Sequence, residues 1–176
     1  MRKVTLYIAM SLDGYIADRN GGVDWLDGQE EGSDTSDSYE MFLQEIDTVV
    51  MGWRTYHQLV TELSPGKWVY QGLDSYVVTH RDLPSAGEIH FTQRPPCQLV
   101  RELRQGQGKG IWICGGGEVI APLVREDLID EYRIFVIPVL LGGGIRLFPE
   151  AEKAMALRLS EARRTGGIAE LVYHRR

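Results

Sequence analysis

The apolar residues of this chain recur with two spacings, and each spacing predicts a different kind of element. Short apolar or alternating runs predict β-strands. Such runs lie at 3–9, 48–52, 75–79, 88–91, 110–114, 130–141, 157–164 and 168–175. The i, i+3, i+4, i+7 spacing of one helix face is followed by Tyr39, Phe42, Leu43 and Ile46. We expect Ser36 or Asp37 to be the N-cap of this helix. Further helices are predicted at 54–60, about 95–105 and 118–126.

The order of these elements predicts the fold class. Strands and helices alternate along most of the chain, which is typical of an α/β protein with layers of helices on a mostly parallel sheet. The last two predicted strands are joined across Gly166-Gly167, which is a signal for an antiparallel hairpin. No repeat or linker divides the 176 residues, so we expect a single domain over 1–176.

Charge and composition narrow the possible partners. The net charge of −6 argues against nucleic acid or an anionic membrane as the general partner. Residues 18–47 include ten acidic residues and a single basic one, Arg19, a composition that predicts a solvated acidic surface. No segment approaches the roughly 18 apolar residues of a membrane span, so we expect a cytoplasmic protein. No metal-binding motif is found, and the two cysteines form no disulfide framework.

Three consecutive glycines follow the predicted strand at 110–114. Glycines between a strand and a helix allow backbone N–H groups to approach a phosphate closely, and the helix N-terminus favours its negative charge. Gly115, Gly116 and Gly117 occupy this position, and Glu118 and Val119 begin the next helix. Neither a GxGxxG nor a GxxxxGK[ST] pattern is present. A plain turn therefore explains the glycines as well as an anion site does.

Three other strand ends carry candidate binding residues. In "MGWRTY", Gly52 is followed by Trp53, Arg54 and Thr55 at a helix start, a position that suits an anion. In "VVTHR", the strand end is followed by Thr79, His80 and Arg81. Their hydroxyl, imidazole and guanidinium groups together suit a phosphate monoester. In "AMSLDGYIA", an apolar wall for a flat ring comes from Ala9, Ile16 and Ala17, beside the Asp13-Gly14 turn.

Each of these three signals also has a simpler explanation. Arg54 could be a solvated helix residue and Trp53 part of the core, "VVTHR" could end in a surface loop, and Asp13-Gly14 could be only a hairpin turn. In an open α/β sheet, however, ligands bind outside the carboxyl ends of the strands. Several anion sites and an apolar wall at these ends predict one elongated crevice that suits a dinucleotide.

Four segments of the chain together resemble a known superfamily. "SLDGYIA", "VVMGWRTY", "GGGEVIAPLV" and "LIDEYRIFVIPVLLGGGIRLF" occur in an order and at spacings similar to those of the dihydrofolate-reductase-like superfamily. Within it, the chain is most similar to the riboflavin-biosynthesis reductases, the C-terminal domain of a bifunctional deaminase–reductase and its stand-alone relatives. The resemblance covers roughly residues 2–175. It implies a three-layer α/β/α fold, NADPH as cofactor, and reduction of a substrate such as 5-amino-6-(5-phosphoribosylamino)uracil.

The resemblance also implies roles for the residues at the four strand ends. It places Ala9, Ile16 and Ala17 at the nicotinamide, with residues 18–25 as a mobile loop closing over it. It assigns the pyrophosphate to Gly52, Arg54 and Thr55, and the adenosine 2′-phosphate to Thr79, His80 and Arg81. Gly115–Gly117 correspond to glycines whose unusual peptide bond allows the backbone to pass beside the cofactor, with Glu118 and Val119 opening the helix.

Two positions depart from the pattern of the superfamily. Many members carry Arg where this chain has Trp53, so that Arg54 is the alternative source of charge for the pyrophosphate. Folate reductases carry an acid four residues before the position of Phe42, where this chain has Ser38. Asp37 is adjacent but points about 100° around the helix. The missing acid makes a dihydrofolate reductase the less favoured alternative.

The expected activity is an NADPH-dependent reduction of a small heterocyclic or sugar-linked C=O or C=N compound. Asp13 is the side-chain candidate for placing a substrate or a water that supplies the proton, although it could serve only the turn. Trp25, Tyr39 and Phe42 could form the substrate wall or belong to the core. A nucleotide-binding protein with a degenerate site and no turnover is a further alternative. The apolar run "YRIFVIPVLL" is consistent with a homodimer, and equally with an interior strand.

Overall fold

The computed structural model describes residues 1–26, 36–150 and 153–176. Residues 27–35, at the centre of the acidic stretch, lie outside this description. So do the side chains of Ser36 and Asp37, the two predicted N-cap residues.

An eight-stranded sheet forms the centre of the molecule. Its strands are β1 (Val4–Ser11), β3 (Ile46–Gly52), β4 (Asp74–Val78), β5 (Ile89–Thr92), β6 (Gly110–Gly115), β7 (Glu131–Ile137), β9 (Leu157–Thr165) and β10 (Ile168–Arg175). They lie in the order β5-β4-β3-β6-β1-β7-β10-β9. The first six strands of this order are parallel, whereas β10 is antiparallel to both β7 and β9. The prediction of a mostly parallel sheet ending in an antiparallel hairpin is therefore confirmed.

Helices cover both faces of this sheet. On one face, α3 (Pro96–Gln105) and α4 (Gly117–Arg125) bury apolar residues such as Leu99 and Leu123 against β1 and β6. On the other face, α1 (Ser36–Glu45) and α2 (Trp53–Gln58) cover a second core around Met51 and Trp112. A π-helical turn, Leu59–Leu63, continues α2. This arrangement confirms the expected three-layer α/β/α fold.

The long apolar run at 130–141 forms a shorter strand than the sequence predicts. Strand β7 stops at Ile137 because Pro138 has no N–H for the ladder, and the Val139 N–H turns back to the Ile137 carbonyl at 2.7 Å. Strand β7 lies between β1 and β10, so the position of an interior strand accounts for its apolar residues. The homodimer remains a prediction.

Two short elements were not predicted from the sequence. Strand β2 (Tyr15–Ala17) pairs antiparallel with β8 (Ile145–Arg146), and Asp24–Leu26 form a single 3-10 turn. The segment around Tyr15 is therefore not entirely a loop. Strands of two or three residues are too short to show an alternating pattern, so periodicity could not identify them.

Candidate functional site

The four strand ends singled out in the sequence lie side by side. Strands β4, β3, β6 and β1 are consecutive in the sheet and all parallel, so their carboxyl ends share one edge. That edge carries Thr79 after β4, Gly52 at the end of β3, Gly115 at the end of β6, and Ser11 at the end of β1. The sheet order thus brings the predicted binding residues together along one line, here called the crevice edge.

The glycines between β6 and α4 adopt a backbone that other residues rarely take. Gly115 has φ +148°, which an L side chain adopts only with strain. Among the described residues every peptide bond is trans, so the unusual peptide bond implied by the resemblance is not present at Gly115–Gly117. Gly116 is the N-cap of α4 with φ −28°, outside the left-handed region, and Gly117 begins the helix.

A side-chain hydrogen bond ties this glycine turn to α2. The Gly116 N–H donates to Thr55 Oγ1 over 3.1 Å. A Cβ built on Gly52 would lie 3.4 Å from Val119 Cγ2, so the start of α2 and the first turn of α4 are in contact. Thr55 was predicted to bind a phosphate, and that contact remains a prediction; in the structure its hydroxyl oxygen accepts a backbone N–H. The hydroxyl hydrogen remains available to another acceptor.

The N-terminus of α4 has free donors toward the crevice edge. The N–H groups of Val119 and Ile120 bond to the Gly116 carbonyl, at 3.0 and 3.1 Å. Within the described part of the chain, the N–H groups of Gly117 and Glu118 have no acceptor, as expected for the first residues of a helix. The Glu118 side chain is exposed and Val119 is buried. Two unpaired N–H groups at the positive end of a helix favour an anion.

Arg81 and Trp53 meet at the outer end of the crevice edge. The guanidinium Cζ of Arg81 lies 4.7 Å from the centroid of the Trp53 ring. The Arg81 N–H donates to Thr79 Oγ1 over 3.1 Å, and Thr79 is buried. His80 and Arg54 are exposed at the same edge, each without a described partner. The prediction that cations gather here is consistent with this placement.

Asp13 is engaged by the loop that follows β7. Its carboxylate accepts hydrogen bonds from the Ser11 hydroxyl at 2.6 Å, the Leu141 N–H at 3.1 Å and the Gly142 N–H at 2.7 Å. The Ser11 hydroxyl and the two N–H groups lower the pKa of Asp13 below its usual value. An ionised carboxylate with three donors is suited to fixing a loop or ordering a water, and poorly suited to donating a proton.

Strand β2 supplies the predicted apolar wall next to Asp13. Ala17 is buried, whereas Ile16 and Ala9 are half-buried, on β2 and β1 respectively. A Cβ on Gly144 would lie only 2.1 Å from the Ala17 carbonyl oxygen, so the second glycine triplet packs directly on β2. Gly144 therefore has a steric reason that the sequence did not reveal: the loop after β7 passes against the backbone of β2 at this residue.

The loop predicted to be mobile is attached to α2. The Asp18 carboxylate accepts the N–H groups of Asn20 and Gly22, at 2.7 and 2.8 Å, and closes a tight turn. The Gln58 side-chain amide donates to the Gly21 carbonyl over 3.1 Å. This bond attaches the turn to the last residue of α2, and the Arg19 guanidinium donates to the Gly142 carbonyl over 3.2 Å. The mobility of residues 18–25 remains a prediction.

The three aromatic candidates for a substrate wall occupy different environments. Phe42 is fully buried and stacks on Tyr7 at a centroid distance of 4.4 Å, so it belongs to the core. Tyr39 is half-buried, and its pKa is raised mainly by burial and secondarily by the nearby Cys114. Trp25 is half-buried in the 3-10 turn and donates its indole N–H to the Gly22 carbonyl at 3.2 Å. Of the three, Tyr39 and Trp25 retain exposed surface.

A polar pair at the end of β6 was missed by the sequence analysis. The Tyr70 hydroxyl lies 3.5 Å from Cys114 Sγ, one residue before the glycine turn. Burial raises the pKa of Cys114 to about 11, which keeps the thiol protonated at neutral pH. The position of Cys114 directly before the glycines was the only available signal, and nothing in the sequence connected it to Tyr70.

An open groove of about 470 Å³ lies away from the crevice edge, between α1 and the hairpin β9–β10. It is lined largely by charged side chains, among them Glu131, Arg133 and Glu170. Glu131 binds Lys3 and Arg133, and Arg133 also binds Glu45 at 2.9 Å. Burial by itself would raise the pKa of Glu131, but Lys3 and Arg133 outweigh burial and lower it. Most of the charge in this groove is thus paired within the protein.

Neither a metal centre nor a membrane-spanning helix is found in the described ranges. Among residues 1–26, 36–150 and 153–176, no three His, Cys, Asp or Glu side chains are grouped so that they could hold a metal ion. None of the helices in these ranges has the length and apolar character needed to cross a bilayer. The residues that the sequence analysis predicted to bind a ligand lie together at the crevice edge.

Comparison with known proteins identifies the family of this chain. Residues 2–169 match the family described as the RibD C-terminal domain. The chain belongs to this family. The resemblance seen in the sequence is therefore confirmed, as is the fold that it implies.

Individual relatives and structures support the same assignment. The chain is 40% identical to "Uncharacterized protein YwjB" of Bacillus subtilis (strain 168), covering 99% of this chain and 98% of that protein. The structure of a "Putative riboflavin biosynthesis protein" from Shewanella sp. PV-4 matches with a TM-score of 0.85 and 27% identity over 99% of both chains.

A more distant match is a diaminohydroxyphosphoribosylaminopyrimidine deaminase/5-amino-6-(5-phosphoribosylamino)uracil reductase from Thermotoga maritima. Its TM-score is 0.73 at 15% identity, which shows a shared fold. The alignment covers 99% of the present chain and 57% of the Thermotoga chain. The chain thus spans somewhat more than half the length of the bifunctional protein.

Proposed function

We propose that this chain is an NADPH-dependent reductase of a small heterocyclic or sugar-linked substrate. The proposal draws on membership of the RibD C-terminal domain family and on the likeness to the Shewanella protein. The reaction that it would resemble most is the reduction of 5-amino-6-(5-phosphoribosylamino)uracil, named for the Thermotoga protein.

One observation carries the proposal: the hydrogen bond from Gly116 N–H to Thr55 Oγ1. This bond joins the turn after β6 to the helix after β3 and fixes the N-termini of α2 and α4 next to each other. Because a helix N-terminus favours an anion, the two adjacent N-termini would each offer donors to a phosphate of a dinucleotide. If the glycines form only a structural turn, the bond contributes to stability alone. The effect of removing the bond on nucleotide affinity therefore distinguishes a plain turn from a nucleotide site.

The space beside the glycine turn is compatible with a bound dinucleotide. Apart from Thr55 Oγ1 at 3.5 Å, a Cβ on Gly116 would meet nothing within 4 Å, so the backbone there has open space on the crevice side. The unpaired N–H groups of Gly117 and Glu118 would donate to a phosphate. Ala9 and Ile16 would pack against a planar ring. In its bound form, NADPH would supply the hydride.

The protein's own contribution to the reaction is to bind, orient and exclude water. The loop held by Gln58 and the β2–β8 pair would cover the ring, while Tyr39 and Trp25 would face the substrate. Asp13, ionised and held by three donors, would order a water or a substrate hydroxyl instead of donating its own proton. Tyr70 and Cys114 add protonated groups beside the glycine turn, because burial raises the pKa of both.

Dihydrofolate reduction is the less favoured activity. Ser38 in α1 stands where folate reductases carry the folate-binding acid, and its hydroxyl forms a hydrogen bond with Tyr7 of β1. A nucleotide-binding protein without turnover is favoured by a different observation, namely that the carboxylate of Asp13 is already engaged by the loop after β7. These alternatives predict different outcomes in the same assays.

Differential scanning fluorimetry with NADPH and NADH tests cofactor binding. A ligand at about 100 times its Kd stabilises a protein by about 2.7 kcal/mol. For a domain of this size, that corresponds to a rise in Tm of about 5–10 °C. We expect this rise with NADPH and a smaller one with NADH at equal concentration. If neither nucleotide raises the Tm at millimolar concentration, the proposal is wrong.

A turnover assay then separates the activities. Oxidation of NADPH is followed at its absorbance band with a panel of ribosylaminopyrimidines, pterins, dihydrofolate and simple carbonyl compounds. We expect oxidation with a pyrimidine or sugar-linked substrate. Rapid turnover of dihydrofolate, inhibited by an antifolate, would favour the alternative reductase. Tight NADPH binding with no oxidation across the panel would identify a binding protein.

A further inference from the structure

The stack of Arg81 on Trp53 connects two elements of the crevice edge. Trp53 is the first residue of α2, and Arg81 lies three residues beyond the end of β4. Arg81 Cζ stands 4.7 Å from the centroid of the indole ring, which is within the range of a cation–π interaction. The two residues are distant in the chain, so no sequence pattern pairs them.

Neighbouring residues hold both partners of the stack in place. The Trp53 ring lies 5.6 Å from the ring of Tyr56 and 6.4 Å from that of Phe91, centroid to centroid. The backbone of Arg81 is fixed through its N–H bond to the buried Thr79 hydroxyl. The Thr79 N–H in turn bonds to the Thr92 carbonyl at 2.9 Å. The stack is thus anchored to β4 and β5 on one side and to α2 on the other.

The stacked geometry leaves the hydrogen-bonding groups of the guanidinium free. Arg81 Cζ lies over the indole ring, and this contact with the ring face uses none of the five guanidinium N–H donors in a hydrogen bond to a nitrogen or oxygen acceptor. Within the described residues, no carboxylate forms an ion pair with Arg81. A planar cation with free in-plane donors suits bidentate contact with a phosphate. Arg54, by contrast, is exposed and has no described contact that would fix its direction.

We propose that Trp53 is a positioning residue that holds Arg81 to read the 2′-phosphate of NADPH, so that Arg81 supplies the discriminating charge and Arg54 does not. This inference rests on the proposed function and adds a specificity device to it. Where related proteins carry Arg at the position of Trp53, this chain places the cation on the neighbouring strand end and uses the aromatic ring to orient it.

Isothermal titration calorimetry on the whole chain tests the assignment. The ligands are NADPH, NADH and the fragment pair 2′,5′-ADP and 5′-ADP, so that the readout does not depend on turnover. The variants are Trp53→Ala, Trp53→Phe, Arg81→Ala, Arg81→Lys and the double variant of Trp53→Ala with Arg81→Ala. Arg54→Ala is the matched control, because it removes a neighbouring exposed cation.

We expect Arg81→Ala to weaken NADPH binding about tenfold or more, with little change for NADH, because charge-assisted phosphate bonds are lost. Trp53→Ala should weaken NADPH about two- to fivefold, the range of an exposed cation–π contact. Trp53→Phe should retain most of the preference for NADPH over NADH. Arg81→Lys should lose as much NADPH affinity as Trp53→Ala. The double variant should bind NADPH no worse than Arg81→Ala. Arg54→Ala should weaken NADPH and NADH equally.

Three results would overturn the inference while leaving the proposed function standing. The first is that Trp53→Ala loses equal affinity for NADPH and NADH. The second is that the losses of NADPH affinity add in the double variant. The third is that Arg54→Ala, and not Arg81→Ala, loses the preference for NADPH. If Trp53→Ala does not fold, Trp53→Phe and Arg81→Lys still decide between these outcomes. Failure of the unmodified protein to bind any of the four ligands would refute the inference and the proposed function together.

Discussion

Gly116→Ala tests whether the backbone at the glycine turn lies against a bound molecule. Gly116 has φ −28°, and the added Cβ would meet only Thr55 Oγ1 at 3.5 Å, an ordinary van der Waals distance. The folded protein therefore has room for alanine at this position. If glycine is required there, the reason is a ligand and not the fold.

The effect on stability can be worked out from two opposing terms. Alanine is a poorer N-cap than glycine, which costs roughly 0.5–1 kcal/mol. Replacing glycine also reduces the entropy of the unfolded chain and stabilises by about 0.4–1 kcal/mol. The two terms offset, so we expect the free energy of unfolding to change by less than about 1 kcal/mol. Urea denaturation of both proteins measures this difference.

The effect on binding should be much larger. A methyl group on the crevice side of Gly116 would occupy space that a phosphate or ring needs, and we expect NADPH affinity to fall at least tenfold, or about 1.4 kcal/mol. Gly117→Ala is the matched control, because its Cβ would point toward Ile145 and the Arg146 carbonyl, at 3.6 and 3.7 Å. Because alanine keeps the backbone N–H that would donate to a phosphate, Gly117→Ala should leave NADPH binding unchanged, and it should raise the free energy of unfolding by about 0.4–1 kcal/mol. A folded Gly116→Ala protein with unchanged affinity for NADPH would refute the reasoning.

Three further substitutions test other parts of the account. Thr55→Val removes the acceptor of the Gly116 N–H and should cost about 1 kcal/mol of stability and weaken NADPH binding, with Thr55→Ser restoring both in denaturation and calorimetry. Asp13→Asn should lower the Tm, because Leu141 and Gly142 lose a charged acceptor, whereas unchanged Tm with lost turnover would show a catalytic role. Glu131→Gln should destabilise the protein by about 3 kcal/mol at pH 7, since Arg133 and Lys3 lose their buried partner. Because the folded-state pKa of Glu131 is lowered, its contribution is complete above the unfolded value of about 4.3 and is lost as pH falls through the folded pKa. The stability gap between Glu131→Gln and wild type should therefore close in acid, and a gap independent of pH would contradict the assignment.

The layers of the fold were predictable because each element has a regular apolar pattern. The predicted strands around Val49, Val77 and Ile113 all appear in the sheet, and the face that includes Phe42 packs on it. Local pattern does not determine strand order, so the adjacency of the four strand ends was an inference from the general behaviour of α/β sheets. The structure places them in consecutive strands.

The roles of individual side chains were less predictable, because they depend on contacts between distant parts of the chain. Asp13 accepts two of its three hydrogen bonds from a loop more than a hundred residues away, and Thr55 bonds to a turn at Gly116. Phe42 was a candidate for a substrate wall or the core, and the structure buries it completely. The stack between Trp53 and Arg81 likewise depends on how α2 is placed beside the end of β4.

The most direct test of the central claim is a titration of the ¹⁵N-labelled protein with NADPH, followed by two-dimensional NMR. If the four strand ends form one dinucleotide site, the amide signals of Gly52, Arg81, Gly116 and Gly117 should shift together with a single Kd. The signals of Glu170 and Arg163, in the charged groove between α1 and the hairpin, should remain in place. Shifts confined to that groove, or none at millimolar NADPH, would contradict the account.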